Sequence, residues 1–104
     1  MANDFAKSVM AALEPCTYEE IDVGHFTIWS AATGELLAEY RVESHKEGFG
    51  PMVYYPMLSV WRKRISQSQA EALSRLVPQF VSEGPNDSTV RTERYIRLNF
   101  LENA

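Results

Sequence analysis

One cysteine, two histidines and no long apolar run leave this chain short of several kinds of chemistry. Cys16 alone forms neither an internal disulfide nor a multi-cysteine metal site, and a lone thiol suits a reducing compartment better than a secreted scaffold. His25 and His45 stand on a predicted strand and in a predicted loop, with no metal-ligand spacing between them. The sequence therefore points to no metal and no cofactor. Cys16, Asp22 and His25 can be drawn as a catalytic grouping, but they match no thiol-enzyme signature, and no catalytic residue is assigned. No stretch approaches the roughly 20 apolar residues of a membrane-spanning helix. The opening MANDFAKSVMAALEPC has Asp4 and only Lys7 where a signal peptide has a basic start, and Glu14 and Pro15 stand where a lipoprotein site needs small residues. The expectation is a cytoplasmic protein without a membrane partner.

Two short stretches resemble ligand sites and lack what such sites require. Gly48-Phe49-Gly50 is followed by Pro51 and an extended segment, whereas a phosphate loop opens a helix whose N-terminal N–H groups face the anion. These glycines read as turn formers. Glu19, Glu20 and Asp22 are acidic, but no further oxygen ligands follow in a fixed pattern, so they read as a solvated stretch.

What the chain does have is the balance of one folded domain, 1–104, with 45% hydrophobic and 23% charged residues. Its formal charge of −4 is unevenly placed. Residues 1–50 hold three Lys or Arg against nine Asp or Glu, and residues 51–104 hold seven against five. Such a division orients a partner or simply reflects solvated side chains.

Asn3 or Asp4 can cap a helix carrying Phe5, Val9, Ala12 and Leu13 at helical spacing, which Pro15 ends near Leu13. CTYEEIDVG reads as a polar connection with at most a short extended stretch before Gly24. Two β-prone runs then flank Ala32-Thr33-Gly34, a hairpin signal. A loop over SHKEGFGP leads to a third strand whose better half is Met57 to Ile65. Proline lacks an N–H, so Pro56 makes that strand an expected edge, broken or kinked at Tyr55-Pro56. SQSQAEALSRLVPQF returns to helical periodicity, with Ser68/Glu71 or Ser66/Gln69 as a capping box and Pro78 forcing a kink or an early end. GPNDS is a loop, and TVRTERYIRLNF alternates as a last strand. The predicted class is α+β, a four-stranded, mainly antiparallel sheet with two helices on one face, in the order α-β-β-β-α-β. If the third strand is an edge, the last lies beside the first, in the spatial order 4-1-2-3.

Parity sends Phe26, Ile28, Ala38, Tyr40, Val42, Leu58, Val60, Ile96, Leu98 and Phe100 toward the helices. It sends His25, Trp29, Arg41, Trp61, Lys63, Arg91, Tyr95 and Arg97 the other way, interleaving aromatics with cations. Three readings fit that face. Bases of a single-stranded nucleic acid can stack on the aromatics, although the pI near 5.1 and Glu39, Glu43 and Glu93 on the same side oppose it. Another protein, or a second copy, can dock on residue types enriched at interface hot spots. Alternatively, Trp29 and Trp61 are covered from within the chain.

Small acidic single-domain chains of this kind are frequent among bacterial and phage accessory proteins that bind and block a target. The expected function is thus a non-enzymatic protein-binding or inhibitor module, its partner another protein or a second copy of itself, with single-stranded nucleic-acid binding as the alternative. Its expected contacts are Trp29, Trp61, Lys63, Arg91, Tyr95 and Arg97 on the sheet, joined by Phe49, Tyr54 and Tyr55 from the 46–56 loop.

Overall fold

The computed structural model describes residues 3–46, 48–81 and 90–102. Helix α1 (Asp4–Ala12) starts where Asn3 Oδ1 accepts the Ala6 N–H at 2.8 Å and ends at Leu13, one residue short of the Glu14-Pro15 break. Four strands follow: β1 (Cys16–Asp22), β2 (His25–Ser30), β3 (Leu36–Lys46) and β4 (Met52–Trp61). A 3-10 turn, Arg62–Arg64, leads into α2 (Gln67–Leu76). Ser66 and Gln69 supply its capping box, the second of the two registers the sequence offers. The helix ends before Pro78, which sits in a further 3-10 turn, Val77–Gln79. Strands β5 (Val90–Thr92) and β6 (Arg97–Leu101) complete the fold. The GPNDS loop lies outside the described residues.

The class is α+β, as the composition and periodicity indicate, but the sheet differs from the sequence expectation in three ways. First, CTYEEIDVG is mostly strand: β1 pairs antiparallel with β2 from Cys16↔Ser30 to Asp22↔His25, with a bulge between Glu20 and Asp22. Its charges hid it, yet an edge strand with one face and one edge in water carries carboxylates readily. Gly24, at φ 76°, turns this hairpin, and Gly34, also at 76°, turns the next, as its position predicts.

Second, β4 is internal. It pairs with β3 without interruption from Ala38↔Val60 to Lys46↔Met52, through Val42↔Pro56. On its other side β5 pairs as far as Tyr54↔Thr92 and β6 begins at Met57↔Arg97. Pro56 thus falls in the gap between two partner strands, where a missing N–H leaves no ladder bond unmade. The proline rule held, but the interruption it marks is in the neighbouring strand.

Third, the last strand lies beside the third predicted strand, not the first. Both β5 and β6 run parallel to β4, so the order is β1-β2-β3-β4-(β5, β6) and the sheet is mixed. A chain leaving β4 through α2 makes the helical crossover that parallel strands need, and it sets the last strand next to the one before the helix. The expected single strand over 89–100 is split at Glu93–Ile96, where Tyr95 instead makes an isolated antiparallel bridge with Val81.

Both helices cover one face. Phe5, Ala6, Val9 and Leu13 from α1 and Ala70 and Leu73 from α2 pack with Phe26, Ile28, Ala38, Tyr40, Leu58, Val60 and Ile96. Leu98 and Phe100 are half-buried against that cluster, whereas Val42, expected in the core, is 44% exposed because the sheet outruns the helices there. Among the described residues no helix is long and apolar enough to cross a membrane.

Candidate functional site

The opposite face of the sheet carries no helix, and its side chains follow from the two-residue period of β2, β3, β4 and β6. Trp29 lies opposite Leu36, and Trp61 opposite Leu101, at one end of this face. Their strands, β2 and β4, lie two strand spacings apart, about 10 Å. Each indole is half-buried through an identifiable contact. Trp29 Nε1 donates to Thr27 Oγ1 at 3.0 Å, so the indole folds back along β2 and leaves that outward threonine only 5% exposed. Arg64 places its guanidinium 5.5 Å from the Trp61 ring centroid, donates to the Leu36 carbonyl at 2.8 Å and pairs with Glu35 at 3.2 Å. That clamp joins the turn after β4 to the start of β3.

Moving along the strands, the face becomes charged but internally paired. His25 Nε2 meets Glu39 Oε2 at 2.8 Å, and Arg41 pairs with Glu43. Arg97 lies 4.3 Å from the centroid of Tyr55 and donates from Nε and Nη2 to both oxygens of Glu93, at 2.9 and 2.6 Å. The bidentate carboxylate holds the Arg97 charge even more firmly than usual. Met57 is half-buried between Arg41 and Arg97 in register. Of the aromatic and apolar residues on this face, Trp29, Tyr55, Met57 and Trp61 are all outside the helix-side core.

The nine residues singled out from the sequence therefore do not form one surface. Trp29, Tyr55, Trp61 and Arg97 share the helix-free face. Tyr54 is one residue out of phase with Tyr55, lies opposite Ser44 and faces the helix side. Lys63 belongs to the 3-10 turn, because β4 stops at Trp61 and parity no longer applies. Tyr95 is exposed in the break between β5 and β6. Phe49 is fully exposed in the β3–β4 turn, well away from the sheet face. Arg91 takes its place in β5 opposite Val53, and its side chain lies outside the described residues. Sequence parity overlooked Met57, Leu101 and the clamp of Arg64. The first two alternate correctly in their strands but carry no charge or ring to mark them, while Arg64 follows the strand end, which periodicity does not locate.

The drawn catalytic grouping is not assembled. Cys16 pairs with Ser30 at one end of the β1–β2 hairpin and His25 with Asp22 at the other, and the two side chains belong to opposite faces. Cys16 Sγ donates to the Met10 carbonyl at 3.3 Å. Burial, reinforced by the Glu14 carboxylate, pushes its pKa up, so at any given pH less of it is the nucleophilic thiolate than in the unfolded chain. Ellman's reagent at pH 8 is expected to label Cys16 roughly tenfold or more slowly in the native protein than in urea, and equal rates would contradict this placement. Among the described residues, no group of three or more His, Cys, Asp or Glu side chains is placed to hold a metal ion.

No protein-family model, curated protein or solved structure matches the chain.

Proposed function

We propose that the protein is a non-enzymatic binding module that engages another protein through the helix-free sheet face, acting as an inhibitor or accessory factor by occupying its target. The observation that supports this reading is the apolar end of that face, where Trp29, Trp61 and Leu101 are half-buried without belonging to the core, with Met57 farther along β4 among the charges. Interface centres combine aromatic anchors with a rim of paired charges, and the pairs His25–Glu39, Arg41–Glu43 and Arg97–Glu93 supply such a rim. A reducing cytoplasm suits its one free cysteine, and small bacterial or phage accessory proteins are the class in which such a module belongs.

The same ion pairs weigh against the nucleic-acid alternative. A phosphate approaching Arg41 or Arg97 has to displace a carboxylate already bound to it. Filter binding of single-stranded oligonucleotides at low salt is accordingly expected to show no retention, and retention abolished by Arg97→Ala would favour the alternative.

A protein captured by the wild-type chain from native lysate is expected to be lost by the triple variant Trp29→Ala, Trp61→Ala, Arg97→Ala. Truncating an interface hot spot costs about 2 kcal/mol or more, so the loss should exceed roughly a hundredfold in affinity. Retention of every captured partner by a folded triple variant would refute the reading.

A further inference from the structure

A second surface lies at the far end of the sheet. β2 pairs with β3 only from Leu36 to Tyr40, whereas β3 continues to Lys46. Over Arg41–Lys46 no described strand pairs with β3 on that side, and five of the six residues are exposed. β3 and β4 therefore project as an arm beyond the β1–β2 hairpin, roughly 15–20 Å long at the usual rise per residue. Phe49 stands at its tip with its ring fully exposed.

At the root of the arm, on the helix side, is an open cavity of about 500 Å³. Phe5, Tyr40, Phe80 and Ile96 line its interior. Val23, Val42 and Val81, all exposed, also line it, and Asp4 adds a carboxylate. Gly24, in the β1–β2 turn beside Val42, leaves that side without a side chain. The chain thus carries an unburied phenylalanine and an aromatic cavity, separated by the length of an unpaired strand edge.

We infer that two copies associate about a two-fold axis by antiparallel pairing of their β3 arms, each inserting Phe49 into the other's cavity. A two-fold axis perpendicular to the sheet keeps the helix faces on one side and restricts the register to pairs of equal parity. With Ser44 opposite its symmetry mate, Glu43 faces His45 of the second copy, and the pairing ends there because Gly24 already stands beside Val42. Lys46 and Phe49 of the second copy then pass over Gly24 on the helix side, the lysine toward Asp4 at the mouth of the cavity and the phenylalanine toward Tyr40. The other exposed edge suits self-pairing less well, because β1 would bring Glu19, Glu20 and Asp22 of the two copies together and is bulged. The outer faces of the two copies remain uncovered, so dimerisation is independent of the binding proposed there.

Light scattering on the full chain is expected to give twice 11.9 kDa, with Phe49→Ala raising the dimer dissociation constant at least tenfold. Phe49 is exposed within one copy, so its loss leaves the fold intact. Symmetry-related residues of an antiparallel pair have Cα atoms roughly 4.5–5.5 Å apart, within disulfide range. In a Cys16→Ala background, Ser44→Cys is therefore expected to yield a covalent dimer under mild oxidation, while Ser68→Cys on exposed α2 does not. A monomeric mass at hundreds of micromolar overturns the inference. So does a dimer that survives Phe49→Ala or fails to cross-link through position 44, and so does a mass that grows beyond two copies. Trp29→Ala with Trp61→Ala is expected to leave the dimer intact, which separates this outcome from failure of the outer-face reading.

Discussion

Phe5→Ala is expected to lower the unfolding free energy by about 3–5 kcal/mol, the usual cost of removing a buried phenylalanine. Phe5 is 6% exposed, and its ring centroid lies 5.2 Å from Tyr40, 5.1 Å from Phe80 and 6.2 Å from Phe26, in tilted or edge-on arrangements. One side chain from α1 therefore joins β2, β3 and the segment after α2. A domain of this size is stable by only about 5–15 kcal/mol, so the variant loses roughly a fifth or more of its margin and melts at least roughly 12 °C lower. Phe5 also lines the cavity at the root of the β3 arm. Its truncation enlarges a space that is already open, which should hold the cost toward the lower half of that range. Phe5→Leu should restore more than half of the loss, and a cost below about 1 kcal/mol for the alanine variant would show that α1 does not pack as described.

The second large effect tests the register of β4. Leu58→Ala is expected to cost about 3–4 kcal/mol in urea unfolding, whereas Met57→Ala, one residue earlier, costs less than about 1. Leu58 is fully buried between Tyr40 of β3 and Leu98 of β6, and Met57 is half-buried on the helix-free face between Arg41 and Arg97. Alternation already sends Leu58 toward the helices, and a slip of β4 by one residue would exchange the two costs. Comparable losses for the two variants would contradict this register of β4.

Pro56 also shows where sequence reasoning reached its limit. Periodicity and turn chemistry located α1, the Gly34 hairpin, α2 and the helix-side residues of β2, β3 and β4, because those signals depend on neighbours within a few positions. Which strand lies beside which is decided by contacts across tens of residues. A missing N–H says that one ladder bond is absent, without saying whether the strand or its neighbour ends there. The same limit split the candidate site. Trp29, Trp61 and Arg97 followed from alternation, whereas Tyr54 and Tyr55 were grouped as a loop although a strand separates their faces. Lys63 was placed on a strand that had already ended at Trp61. The clamp of Arg64 on Leu36 spans 28 residues and leaves no local trace.

The parallel seam between β4 and β6 also governs the order in which the molecule can come together. β1 to β4 form a meander in which each strand joins its predecessor through a short turn, so their pairing closes small loops. Leu58 and Leu98, by contrast, meet across 40 residues that include all of α2. Long-range parallel pairing of this kind forms slowly, and the meander is expected to be in place before β6 docks. Until then the inner edge of β4 is bare, which makes that strand, with its run from Met52 to Trp61, the segment most exposed to wrong partners during folding.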